Sequence, residues 1–155
     1  MFRKIEEKDK ESYFLLAKEF YASPAVIENV PSDHFERTFR EMMRSDVYVE
    51  GYLINDGTDC GYALIAKSFS QEAGGLTVWL EEFYVRASSR GKGLGKEFMR
   101  FFLDRYKNQA RLRLEIEPEN VKAEKLYLSL GFQVLNYKQF VYRGAADERK
   151  TPPTR

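Results

Sequence analysis

The stretch Leu80-Glu81-Glu82-Phe83-Tyr84-Val85-Arg86-Ala87-Ser88-Ser89-Arg90-Gly91-Lys92-Gly93-Leu94-Gly95-Lys96-Glu97-Phe98-Met99 decides how the chain is read. It joins a strand to a basic turn punctuated by glycine, and the turn to the start of a helix. Gly91, Gly93 and Gly95 allow a tight turn without Cβ clashes, so several backbone N–H groups can converge on one anion at the positive end of the helix. Between residues 86 and 100 five cations (Arg86, Arg90, Lys92, Lys96, Arg100) accompany one anion, Glu97. The segment reads as a pyrophosphate cradle, since three alternating glycines exceed what a surface turn requires.

The spacing excludes commoner phosphate loops. A Walker A loop places glycine five residues before its Gly-Lys pair and Ser or Thr after it; Arg90 and Glu97 hold those positions around Gly95-Lys96. A dinucleotide fingerprint starting at Gly91 would need glycine at 96, where lysine stands. What remains is Arg90-x-x-Gly93-x-Gly95. A second pattern follows: Asn120-Val121-Lys122-Ala123-Glu124-Lys125-Leu126-Tyr127-Leu128-Ser129-Leu130-Gly131-Phe132. Folded as a helix, it puts Asn120 at or near the N-cap, Ala123, Leu126, Tyr127 and Leu130 along one face, and Gly131 at the C-terminal stop.

In this order, separated by a helix over about 93–108 and a strand over about 111–116, the two patterns resemble the acyl-CoA-binding signature of the GCN5-related N-acetyltransferases (GNAT). The likeness spans residues 76–135. It implies one α/β domain over 1–144, built on a mixed, mostly antiparallel sheet of about 6–7 strands flanked by about 4 helices, with a flexible tail over 145–155. It also implies acetyl-CoA as co-substrate, held by Phe83, Tyr84, Val85, Arg90, Gly91, Lys92, Gly93, Leu94, Gly95, Lys96 and Asn120. Locally, Glu-Glu-Phe-Tyr-Val at 81–85 is similar to the Glu-Asp-Phe-Phe-Val run of polyamine and diamine acetyltransferases. That alignment gives proton removal from the acceptor amine to Glu81 and help in holding a cationic substrate to Glu82. The family's use of its motif tyrosine gives protonation of the leaving thiolate to Tyr127.

An amine of pKa near 10.4 lies about 3.4 units above neutral pH, so freeing it to attack costs roughly 4.6 kcal/mol and a positioned base helps. Adjacent residues of a regular strand point to opposite faces, so only one of Glu81 and Glu82 is expected to face the acceptor directly; strand direction leaves open which. Main-chain N–H groups around Tyr84 and Val85 are expected to bond the donor's amides or polarise its thioester carbonyl. By itself Tyr127 also fits a packed aromatic. Transfer is expected to be direct. Ser32, Asp33 and His34 read as a helix cap rather than part of a triad, and Cys60 reads as a small packed residue at the start of a strand.

The resemblance also places the acceptor pocket at the first two helices and their connection, here with Phe20, Tyr21, Val26, Ile27 and Phe35; Tyr21 and Ile27 join Glu82 as substrate contacts. Apolar walls with added negative charge suit a small or polycationic amine: a polyamine, a diamine or an amino sugar. A protein N-terminus or lysine, and a non-catalytic acyl-CoA-sensing module, are the alternatives.

Around these motifs the periodicity predicts strands over 2–5, 47–54, 60–67 and 76–85 and helices over 9–20 and 34–44, with a hairpin turn at Asp56-Gly57. Two further strands are expected over 132–135 and 139–142. That stretch either closes the monomer core or supports a homodimer through terminal strands, as family members often do. A chain of 155 residues that is 43% hydrophobic can bury a real core, and a net charge of +1 makes no case for nucleic acid or an anionic membrane as partner. One cysteine and one histidine exclude a disulfide framework and argue against a metal cofactor. The start carries no apolar leader and no apolar run is long enough to span a bilayer, so a cytoplasmic protein is expected.

Overall fold

Alternating apolar residues give five strands among the described residues: β1 (Phe2–Lys4), β2 (Val49–Asn55), β3 (Asp59–Ser70), β4 (Gly75–Val85) and β5 (Arg111–Leu114). They form one sheet in that order, antiparallel from β1 to β4 and parallel between β4 and β5. A parallel pair needs a crossover, and α3 (Leu94–Tyr106) supplies it. The other helices are α1 (Lys10–Tyr21), α2 (Ser32–Arg44) and α4 (Val121–Ser129). The structure, a computed structural model, describes residues 1–23, 26 and 30–146. Ile27, and the expected tail from 147 onward, lie outside the described residues.

The pleat sorts side chains into two apolar layers. Tyr62 and Leu64 of β3 pack with Tyr13, Leu16, Phe35 and Phe39 of α1 and α2; Ala63 and Ile65 pack with Phe98, Met99 and Phe102 of α3 on the opposite face. Phe98 and Phe102 are fully buried. Each such ring contributes roughly 2–3 kcal/mol of apolar burial, enough to fix α3, and hence the basic turn before it, against the sheet.

One irregularity breaks the alternation and shapes the site. Leu64 pairs with Glu82, but the next residue, Ile65, pairs with Leu80, so Glu81 is the extra residue of a β-bulge. On either side of it Val78, Leu80, Phe83 and Val85 face the α3 layer. The inserted residue shifts the parity of the strand, and Glu82 and Tyr84 turn towards α1 and α2.

The two strands expected over 132–135 and 139–142 do not form. Residues 132–144 carry no regular structure, so the sheet has five strands rather than six or seven. An alternating pattern marks a segment able to pair, but pairing also requires an edge to pair with. The edge beyond β5 is only four residues long. Val134, Tyr137, Phe140 and Tyr142 are consequently exposed, while Gln139 reaches Glu115. Elsewhere the expected elements form with ends shifted by up to a few residues.

Candidate active site

The bulge brings both carboxylates to one place. Glu81 and Glu82 line two adjoining clefts, of about 430 and 250 Å³, between α2 and the sheet. The expectation that only one could face the acceptor holds for a regular strand and fails at this bulge. Tyr21, Phe35 and His34 wall the smaller cleft; Arg37, Glu41 and Val49 wall the larger. Arg37, the cation on that wall, is paired with Asp33 at 2.7 Å.

Glu82 is gripped by two phenols. Tyr62 donates its hydroxyl to Oε2 at 2.6 Å and Tyr21 donates to Oε1. Burial nevertheless pushes the Glu82 carboxyl above the usual carboxylate range; the two hydroxyls oppose the rise and the Glu81 charge adds to it. Burial, and then the Glu115 charge, also push Glu81 up. Among the described residues neither carboxylate has an ion-pair partner. The hydroxyls of Tyr21 and Tyr62 are raised by burial and by Glu82, so both remain protonated donors.

On the other side of the bulge lies the basic turn. Gly91 and Gly93 take positive φ values of 81° and 87°, and Gly93 stands at the cap of α3, a conformation that strains any residue bearing a Cβ. The N–H groups from Gly91 to Lys96 donate to no acceptor among the described residues; Glu97 is the first to donate, to the Gly93 carbonyl at 3.0 Å. Gly95 has neither constraint: its φ is not positive, and a Cβ there would lie 3.7 Å from the Phe83 ring, an ordinary van der Waals contact, so the expected need for glycine holds at 91 and 93 and not at 95. Leu94 is buried and Phe83 stacks on Phe98 at 5.0 Å, which anchors the turn to β4.

The cations divide into engaged and free. Glu19 takes Arg86 at 2.8 Å, the Val85 carbonyl takes Arg90 Nε at 2.8 Å, and Asp56 takes Lys92 at 2.6 Å. Lys96 and Arg100 are exposed and have no partner among the described residues. Pairing between β4 and β5 ends at Leu80 and Leu114, so from Glu82 to Val85 β4 keeps only its β3 partners and leaves its other backbone edge open. Tyr84 lies on that stretch, its hydroxyl 3.4 Å from Glu19.

Tyr127 sits half-buried on α4, packed on the α3 layer and 5.9 Å from the Phe132 ring. Its hydroxyl has no partner among the described residues, and burial raises its pKa, so it carries its proton at neutral pH. Asn120 caps α4 by accepting the Ala123 N–H at 3.2 Å. Ser32, Asp33 and His34 do not cap α2: Pro31 holds that position with no side-chain bond to the helix, and Asp33 is spent on Arg37. Tyr62 and His34 are site residues that sequence reasoning did not assign. The strand period that sets Tyr62 and Leu64 on one face was the available signal for the first.

The profile of the Acetyltransferase (GNAT) family matches residues 6–132. The chain belongs to this family. This acetyltransferase is 26% identical over 161 residues to an uncharacterized N-acetyltransferase (pepI 3'region) of Lactobacillus delbrueckii subsp. lactis, across 95% of this chain and 90% of that protein. It is 30% identical over 93 residues to the spermine/spermidine N(1)-acetyltransferase of Bacillus subtilis (strain 168), across 56% of this chain and 57% of that one. The solved structure of AAC(6')-Iy in complex with the bisubstrate analog CoA-S-monomethyl-acetylneamine shares the fold, with a TM-score of 0.71 at 20% identity over 93% of this chain and 97% of that chain. As a GNAT member the protein is an N-acetyltransferase that draws its acetyl group from acetyl-CoA. No described helix is long and apolar enough to cross a membrane.

Proposed function

We propose that this acetyltransferase passes the acetyl group directly to a primary amine of a small polycationic acceptor, received by the two carboxylates that the β4 bulge turns into one cleft. One observation carries the reading: Glu81 and Glu82 share that cleft, and among the described residues no cation is paired with either, Arg37 on the wall being taken by Asp33. An ammonium group supplies the missing charge. The partial match to a spermine/spermidine acetyltransferase supports the same class of acceptor.

Glu81 opens to solvent, and its raised carboxyl makes it a stronger proton acceptor than a free glutamate, so it takes the ammonium proton directly or through a water. Glu82 has both oxygens committed to tyrosines and acts as a fixed charge that orients the amine, with Tyr21 setting its position. Ile27 stays assigned to the same wall by the family resemblance alone.

The basic turn suits a CoA pyrophosphate, since the N–H groups from Gly91 to Lys96 have no acceptor among the described residues and lie at a helix start beside Lys96, which has no partner among them either. Arg90 and Lys92 add charge to its rim, and Leu94 and Phe83 hold the turn in place. The open edge of β4 around Tyr84 and Val85 offers main-chain groups to the pantetheine amides. Bound acetyl-CoA supplies an acyl carbon activated as a thioester. Tyr127, held by an α4 that Asn120 starts, gives its hydroxyl proton to the departing sulfur.

Thiol release from acetyl-CoA against polyamines, diamines, amino sugars, amino acids and N-terminal peptides tests the reading. Turnover confined to polycationic small amines is the expected outcome; preference for peptides would overturn it.

A further inference from the structure

The smaller cleft has a wall that acetyl transfer leaves unused. His34, the single histidine of the chain, stands in the first turn of α2 and lines this cleft together with Tyr21, Phe35, Glu81 and Glu82. Its main chain is satisfied: the N–H donates to the Pro31 carbonyl at 3.0 Å, and its carbonyl accepts from Thr38 Oγ1 at 2.9 Å. Its ring Nε2, by contrast, is buried with no hydrogen-bond partner among the described residues. Leaving a buried polar atom unpaired costs free energy, and native proteins rarely do so without a reason. On that wall the Tyr21 hydroxyl already donates to Glu82.

We propose that His34 determines acceptor specificity by hydrogen bonding, through Nε2, to a second polar group of the acceptor while the reacting amine lies against Glu81. The inference rests on the acceptor reading above and deepens it, because it requires an acceptor with two polar ends. This bond requires the ring to turn about its Cβ–Cγ bond so that Nε2 meets the acceptor in the cleft. To an ammonium the neutral imidazole offers Nε2 as acceptor, with the proton on Nδ1; to a hydroxyl it can donate or accept. A one-ended amine of the same length leaves the nitrogen unpaired, as it is in the free protein, and gains nothing from it.

Because the histidine is unique, its ring nitrogens can be followed without ambiguity in nitrogen-labelled full-length protein. With CoA present, saturating putrescine should move the Nε2 resonance and saturating butylamine should leave it in place. In steady-state kinetics His34→Leu should lower kcat/KM for putrescine by about tenfold, one hydrogen bond's worth, and change that for butylamine by less than about twofold; His34→Gln should restore part of the loss. Equal shifts with both amines, a silent Nε2 with putrescine bound, or equal kinetic losses would overturn the inference alone. Failure of any amine to bind would overturn the acceptor reading as well.

Discussion

A buried and a half-buried carboxylate on opposite faces of one sheet are treated in opposite ways. Glu50, 2% exposed on the α3 face, accepts hydroxyls from Tyr106 at 2.9 Å and Tyr52 at 3.0 Å and is paired with Lys67 at 2.5 Å. Glu82, on the α1–α2 face, also accepts two tyrosine hydroxyls, yet among the described residues no lysine or arginine pairs with it. Burial pushes up on both carboxyls. At Glu50 the bonds from Lys67 and Tyr106 prevail and hold it below the usual range; at Glu82 burial prevails over the tyrosines. With the hydroxyl pairs matched, the cation is the variable. Glu50 is a completed part of the architecture, whereas Glu82 and its neighbour Glu81 retain a demand for positive charge that an amine substrate can meet.

The sharpest break of that comparison is on turnover. Glu81→Gln should lower kcat by about a thousandfold, or about 4 kcal/mol of barrier, with CoA affinity unchanged. A loss below about tenfold in steady-state thiol release would remove Glu81 as the base. Glu50→Gln leaves Lys67 with the Asp46 carbonyl but no opposite charge and should cost about 3 kcal/mol of stability in urea unfolding, with turnover per folded molecule preserved. Because the Glu50 carboxyl is lowered by folding, its contribution is present above the unfolded pKa and disappears as pH falls through the folded one, so the variant and wild type should converge in acid.

Glu82→Gln should act in the other direction. A carboxyl raised by folding contributes stability below its unfolded pKa and loses it as pH rises through the folded value, so this variant should melt above wild type at pH 7, with the gap closing near pH 4. Its KM for a polyamine should rise about tenfold with little change in kcat. Tyr62→Phe, which deletes one of the two hydroxyls, should raise KM by only about threefold, checked in the same assay.

What was legible in the chain was local. The basic turn announces itself because Gly91 and Gly93 meet a backbone requirement within a few residues of the helix they start, and Asn120 caps α4 through its own neighbour Ala123. The pair of carboxylates was not legible in its geometry. Whether Glu81 and Glu82 share a face depends on the register of β4 against Leu64 and Ile65, and an adjacent pair in isolation reads as a regular strand. The grip on Glu82 comes from Tyr21, 61 residues away, and Tyr62, 20 away, which no short window contains. Residues 132–142 fail for a related reason: their alternation was real, but the edge needed to pair them belongs to the four residues of β5. His34 was absorbed into a cap signal that Pro31 displaces.

The most direct test of an unmet demand for charge is calorimetric titration of spermidine, with CoA present, into wild type and Glu82→Gln. Binding at one site in the wild type, about tenfold weaker in the variant, is the predicted result. Equal affinity in the two proteins would show that the cation is held elsewhere and would contradict the assignment of the bulged carboxylates as its receptor.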